Sequence, residues 1–239
     1  MSQRRYREQE RYLTILTAKH GIVEARLRIF GQINRQNYNN ISVMGYYQFD
    51  LFEQRQRYTV NAAEKIEDFY MLRNDAQHLA LGEYFCELID CLHPERFQTK
   101  ATLQLLLNSL YLLMTQKRTP RFLKPVFELR SLSILGFMPD LVGCESCGVY
   151  NRPPMSFFPQ ESVLLCAACA QKKSYKKHFV LMPPTLHAMR YILYKEDNSF
   201  YNFKLSAECL AQLGDVVEYY TILKTDRNFR SLTVFRQLS

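Results

Sequence analysis

Hydrophobic positions recur along this chain with two different periods, and the change falls near residue 61. In residues 22–30 the alternation is strict. Ile22, Glu24, Arg26, Arg28 and Phe30 fall on one side, and Val23, Ala25, Leu27 and Ile29 on the other. A period of two predicts a half-buried strand, here with two arginines two residues apart on its outer face. Residues 12–17 are rich in β-formers and are closed by the turn signal Lys19-His20-Gly21. Residues 31–40 are polar and Asn-rich and read as a loop. Residues 42–51 and 57–62 fit further strands, with Tyr46, Tyr47, Phe49 and then Phe52 concentrated in and just after the first. Short strands, a basic face and aromatic rings suit a small barrel that binds single-stranded nucleic acid by stacking and phosphate contact. Core packing is the commoner use of any single ring.

From residue 61 the period becomes helical. Asn61 followed by Glu64 has the form of a capping box. Residues 75–92, 99–116 and 121–135 carry apolar side chains at three- and four-residue spacing, such as Leu103, Leu106, Leu107 and Leu110. Pro94 and Pro120 separate these helices, and Gly136 is placed to end the third. Residues 105–114 are apolar almost all round, which predicts a central helix. Pro125 is expected near a helix start, where a missing N–H costs least. Pro183-Pro184-Thr185 introduces a helix to about residue 195. Ser206 caps a longer one to about residue 224, with Leu210, Leu213, Val217 and Tyr220 facing inward. Residues 228–238 read as a final short helix that keeps Arg227, Arg230 and Arg236 at the surface.

Between the helical stretches lie Cys144-Glu-Ser-Cys147 and Cys166-Ala-Ala-Cys169, separated by 18 residues. Two C-x-x-C pairs can each present two sulfurs from a tight turn, and this spacing is that of a zinc ribbon. Four thiolates would close a tetrahedron and leave no open position, so the ion would be structural. A redox dithiol pair and unligated core cysteines are the alternatives. Residues 155–158 and 162–165 can pair as a hairpin over the site. His178 is a possible substitute ligand. Lys172, Lys173, Lys176 and Lys177 follow the last cysteine as a phosphate grip or a solvated charged loop. Cys86, Cys91 and Cys209 fall in helical segments and read as core.

Composition narrows the classes. With 239 residues and 47% apolar content the chain can bury one substantial core or two small ones. It has no apolar run of about 18 residues for a membrane span, and the basic N-terminus has no apolar stretch behind it as a signal peptide would. Seven cysteines, four of them at metal spacing, fit a reducing, intracellular compartment. The net charge of +8 is uneven: residues 1–60 carry ten Arg/Lys against five Asp/Glu, whereas residues 61–143 carry nine against ten. A polyanion such as nucleic acid meeting the N-terminal part is one reading, and a soluble basic protein the other. No phosphate-binding glycine loop, dinucleotide fingerprint, H-E-x-x-H or nucleophile elbow occurs, which lowers the odds of an enzyme.

Three stretches resemble the RecO family of bacterial recombination and repair mediators. Residues 12–21 look like the second strand and turn of its N-terminal OB barrel. The run from Phe127 through Gly136 and Phe137 to Asp140 looks like the helix leading into its metal site, and the four cysteines match its zinc motif. The expected architecture is α+β: an OB-like β-barrel over residues 1–62, then a mainly α-helical domain over residues 63–239 with an inserted zinc ribbon at 141–171. Residues 1–11 are charged rather than β-like, which leaves the first barrel strand missing, shortened or differently encoded. An incomplete barrel would expose an edge.

The resemblance implies a non-enzymatic protein with one structural Zn2+ held by Cys144, Cys147, Cys166 and Cys169. It implies binding to single- and double-stranded DNA, annealing of complementary strands, and association with RecR. It further implies contact with the acidic C-terminal tail of single-strand-binding protein and indirect action on RecA, in the bacterial cytoplasm at the nucleoid and not at a membrane. The family's basic loop corresponds to residues 31–37, where Arg35 is the sole charge. Candidate DNA contacts are Arg4, Arg5, Arg7, Arg11, Arg26 and Arg28, with Arg35. The acidic tail could meet Arg121-Phe122-Leu123-Lys124, unless that stretch is simply a helix start. A protein-interaction scaffold without annealing activity is the alternative.

Overall fold

Where every second residue is apolar, the chain forms ladders. The computed structural model describes residues 2–7, 10–28, 41–55, 57–92, 99–173 and 177–238, with side chains omitted at 2–7, 10 and 28. Arg35, Pro94 and Lys176 lie outside the described residues, as does the loop reading for residues 31–40. The chain divides into two compact units, Met1–Lys117 with Phe229–Ser239, and Arg118–Asn228.

The first unit is built on a five-stranded sheet. Its strands are β1 (Ser2–Arg7), β2 (Glu10–Thr17), β3 (Gly21–Arg28), β4 (Gly45–Gln54) and β5 (Arg57–Asp68), in the order β1-β2-β3-β5-β4. Neighbours run antiparallel except β3 and β5, which are parallel. Among the described residues the sheet is open, with β1 and β4 at its edges. Of the alternatives left for the first strand, missing, shortened or differently encoded, the ladder favours the last, since residues 2–7 pair with β2 from Ser2↔Thr14 to Arg7↔Glu10. This strand is specified by its backbone ladder with β2 rather than by an apolar alternation of its own.

The inner face of the sheet collects Leu13, Ala25, Leu27, Ile41 and Val60, with Ile15, Tyr47, Phe49, Leu51 and Tyr58 packed against them. The alternation read in residues 22–30 therefore selects the core as predicted as far as Leu27. The capping box at Asn61 and Glu64 does not form, because β5 runs through both residues to Asp68. There Asn61 donates instead to Asp50 across the ladder, at 2.6 Å.

Two helices, α1 (Ala76–Leu92) and α2 (Thr99–Met114), complete this unit together with a C-terminal helix. Asp75 caps α1 by accepting the His78 N–H at 2.9 Å. Thr99 ties the start of α2 to the β2–β3 turn through the Ala18 carbonyl, at 2.8 Å. Leu105, Leu106, Leu110 and Leu113 of α2 are buried, while Tyr111 reaches the surface.

The second unit contains α3 (Pro120–Ile134), the strands β6 (Asp140–Cys144), β7 (Met155–Phe158) and β8 (Val163–Cys166), and the single turn α4 (Ala167–Ala170). Strand β9 (Phe179–Leu181) and helices α5 (Pro183–Tyr194) and α6 (Ala207–Thr225) follow. Pro120 takes the first position of α3, and Pro125 lies inside the helix rather than near its start. Gly136 ends α3 at φ +90°, a left-handed conformation that glycine adopts without steric cost. The Phe137 N–H then reaches back to Leu132 at 2.8 Å, closing the helix end. Ser206 caps α6 as expected, accepting from Cys209 at 3.3 Å. The chain ends in α7 (Arg230–Gln237), which packs on α1, with Ser231 donating to Glu87 at 2.7 Å. Among the described residues no helix is long and apolar enough to cross a membrane.

Candidate metal centre and nucleic-acid face

The four cysteines arrive from two turns. In the first, Cys144 ends β6, the Gly148 N–H returns to the Cys144 carbonyl at 2.7 Å, and the Cys144 N–H reaches Val149 at 2.9 Å. Gly148 has φ +70°, which a side chain would strain. Gly143 is constrained from the other side, since a Cβ there would meet the Gly148 carbonyl oxygen at 3.0 Å. In the second turn, Cys166 closes the expected hairpin and starts α4, which carries Cys169 one turn further on.

All four Sγ atoms lie within 4.8 Å of one another, and Cys147 and Cys166 are 3.9 Å apart. Tetrahedral zinc with Zn–S bonds of about 2.3 Å needs sulfurs roughly 3.8 Å apart. The donor set and its geometry therefore fit zinc binding.

The thiols are not equivalent. Burial pushes the Cys144 thiol up, but hydrogen bonding from the backbone at Cys166, Cys147 and Ser146 outweighs it and lowers the group to about 6. Cys169 goes the other way, to about 12, because the Cys166 and Cys147 sulfurs are hydrogen-bonded to it. Thiolates this close repel one another unless protons or a cation sit among them. A divalent ion relieves all four together.

Arg190, on α5, holds the first turn in place. Its Nε donates to the Leu141 carbonyl at 2.7 Å, and its Nη2 to Val142 at 3.2 Å and Tyr150 at 2.6 Å. The guanidinium also lies 4.0 Å from the Tyr150 ring centroid. Sequence reading missed this residue, since an isolated arginine in an apolar helix carries no motif. Burying a cation on an otherwise inward-facing helix was the available signal.

His178, considered as a substitute ligand, stacks instead on Phe158 at 5.1 Å. Lys172, Lys173 and Lys177 are exposed. Lys173 pairs with Glu145 at 3.6 Å, and Lys177 lies 3.9 Å from the Tyr219 ring centroid. Cys86 and Cys209 are core residues, and Cys91 is half-buried. The stretch Arg121-Phe122-Leu123-Lys124 is corrected as a surface for an acidic tail. Phe122, Leu123 and Lys124 are buried, and Lys124 is held by Glu128 at 2.9 Å and Glu218 at 2.7 Å. It is a helix start.

The candidate DNA-contacting arginines divide by register row. Arg4, Tyr12, Arg26, Thr59 and Phe52 form one row across the sheet, from Arg4↔Tyr12 through Tyr12↔Arg26 and Arg26↔Thr59 to Phe52↔Thr59. Directly opposed residues share a face, so Tyr12, Arg26, Thr59 and Phe52 lie on the outer side, away from Leu27. Arg28 shares the row of Glu10 and Arg7, which places an acidic position between two basic ones. Arg11 shares a row with the buried Leu27 and so belongs to the opposite face, and Arg5 is its ladder partner on β1. The sequence grouped these arginines by charge, whereas strand pairing separates them.

Residues 73–233 match the family described as Recombination protein O C terminal. The chain is similar to a DNA repair protein RecO of Acetivibrio thermocellus, with 28% identity over 97% of this chain and 91% of that protein. A DNA repair protein RecO of Symbiobacterium thermophilum is 30% identical, with 95% of this chain and 90% of that protein covered. One from Alkaliphilus metalliredigens is 27% identical over 98% and 95% respectively. These alignments run through both compact units.

Proposed function

Because the chain belongs to the RecO family, we propose that it is a DNA repair and recombination mediator. It binds single- and double-stranded DNA, anneals complementary strands, and helps load recombinase onto DNA coated by single-strand-binding protein. The observation that carries this reading is Arg26, half-buried in the middle of the sheet on the face opposite the core. An arginine held there meets phosphate without displacing core side chains, and neutralising phosphates releases counterions. Annealing needs no covalent step, only a surface that screens the repulsion between two phosphate chains.

Several finer assignments go with this reading. The strand order, with β3 parallel to β5, supports treating the sheet as an OB-like barrel of the partly open, Greek-key type. The DNA contacts are Arg4, Arg7, Arg26 and Arg28, with Arg35 as a further phosphate neighbour, while Arg5 and Arg11, in the row of Leu27, are set aside. The ion at the four cysteines is one structural Zn2+. RecR, the acidic tail of single-strand-binding protein and, through them, RecA are the partners, in the bacterial cytoplasm.

Two measurements test the proposal. Affinity for a fluorescent single-stranded oligonucleotide should fall with salt, with a log–log slope of about −0.7 per phosphate contact. Complementary strands coated with single-strand-binding protein should anneal faster in the presence of the protein. Binding that does not respond to salt, or no acceleration of annealing, overturns it. A protein that binds neither oligonucleotide but retains a protein partner is the scaffold considered above.

A further inference from the structure

One large apolar side chain on the sheet is out of place for a packing role. Phe52 is 61% exposed on edge strand β4, while its neighbour Leu51 turns into the core. Phe52 stands opposite Thr59, and Thr59 stands opposite Arg26. Two inter-strand steps therefore separate the ring-bearing position from the arginine, about 10 Å at ordinary strand spacing. On the far side of Arg26, one step away, the row continues with the half-buried ring of Tyr12. Aromatic, cation, small hydroxyl and aromatic thus follow one another along a single line across four strands.

The rows beside this line mix charges, since Glu10 stands opposite Arg28 in one and Arg57 opposite Gln54 in the other. Glu24, two residues before Arg26 on β3, is exposed. Asp50, two residues before Phe52 on β4, accepts a hydrogen bond from Asn61. A polyanion lying along β4 would bring a phosphate against Asp50, whereas one along β3 would meet Glu24 on one side of Arg26 and the Arg28 position on the other. Laid across the strands it meets Arg26, with a ring on either side.

We infer that Tyr12, Arg26, Thr59 and Phe52 form a track for unpaired nucleic acid that crosses the strands. Arg26 holds a phosphate, Phe52 stacks on an adjacent base, and Tyr12 offers its ring edge to the next. The inference rests on the DNA-binding reading and adds to it a preference for exposed bases. A duplex presents phosphates but no free base face, so Phe52 contributes to single strands alone. Base–aromatic stacking of this kind tolerates any sequence, because every base has a π-face.

The test compares full-length wild type, Phe52→Ala, Phe52→Trp and Arg26→Ala on two labelled oligomers of equal length. One is oligothymidylate and the other an abasic phosphodiester chain. Phe52→Ala should weaken oligothymidylate binding at least about fivefold, the lower end of one lost stack. It should leave the abasic chain and the salt slope unchanged, and Phe52→Trp should restore the affinity. Arg26→Ala should weaken both oligomers and reduce the slope by about 0.7. Because Phe52 is exposed, the alanine variant keeps its fold, which circular dichroism checks. Wild-type affinity in Phe52→Ala, or equal loss on both oligomers, overturns the stacking track while leaving DNA binding intact. Failure of the wild type to bind either oligomer overturns the DNA-binding reading itself.

Discussion

Arg190 donates from Nε to the Leu141 carbonyl at 2.7 Å, joining the middle of α5 to the strand that delivers the first cysteine. The same guanidinium reaches Val142 and Tyr150 on either side of the Cys144–Gly148 turn. Three carbonyls thus depend on one buried cation. Replacing Arg190 by alanine removes the donors, leaves a cavity, and should cost roughly 3 kcal/mol or more. Arg190→Lys should recover little, because an ammonium lacks the planar fork and the flat face toward Tyr150. Urea unfolding measures the first effect. Release of bound metal to a chromogenic chelator should be faster in both variants, and wild-type release in Arg190→Ala would exclude a role for this clamp at the metal site.

The reach of the sequence is clear from two neighbouring segments. In β3 each side chain takes its face from its own position, so Val23, Ala25 and Leu27 were legible as core without knowledge of any partner strand. In β1 the residues are Ser, Gln, Arg, Arg, Tyr and Arg, and the strand exists through its ladder with β2. No local pattern could announce it. The same limit explains Asn61 and Glu64, whose spacing imitates a helix cap while the pairing with β4 keeps them extended. Cysteine spacing specified the metal site because ligand chemistry is local to two turns. Arg190 and the row through Phe52 were not legible, since each is defined by residues brought together from distant parts of its own unit.

The metal site predicts one equivalent of zinc per chain in protein purified under reducing conditions. Removing a single thiolate should not affect all positions equally. Cys144 and Cys166 are buried, whereas Cys147 is exposed. Cys144→Ser leaves a hydroxyl in a position surrounded by protein, and should lose both metal and thermal stability. In Cys147→Ser, solvent can compensate the lost sulfur and the stability loss should be smaller. Metal content by atomic emission and a thermal melt of each variant measure the difference. Zinc-free wild-type protein would refute the site.

Asp75 gives a pH-dependent prediction. Its carboxyl is held below its ordinary value of 3.8, chiefly by the hydrogen bond from the His78 N–H at the start of α1. A depressed carboxylate contributes stability that is fully present above the unfolded pKa and is lost as pH falls through the folded one. Asp75→Ala should therefore cost about 1 kcal/mol near neutrality. The gap to wild type should close as the pH drops below 3.8. Amide exchange of the first turn of α1 in the two proteins reads this locally. A gap that persisted in acid would mean that the charge is not what stabilises the cap.

Lys124 predicts an asymmetry among its partners. Its ammonium lies 2.9 Å from Glu128 on the same helix and 2.7 Å from Glu218 on α6, with Glu128 fully buried. The helices α3 and α6 are thereby joined by one cation between two carboxylates. Lys124→Met keeps the length of the side chain and deprives both carboxylates of that cation, which should cost about 3–5 kcal/mol. Glu128→Leu removes one buried anion and leaves Lys124 with Glu218, so its cost should be smaller despite the deeper burial of Glu128. Combining the two substitutions should recover part of the Lys124→Met loss, because the carboxylate buried most deeply is then gone. Unfolding free energies for the two single variants and the pair close a double-mutant cycle. Strict additivity would show that the contact at 2.9 Å between Lys124 and Glu128 couples nothing.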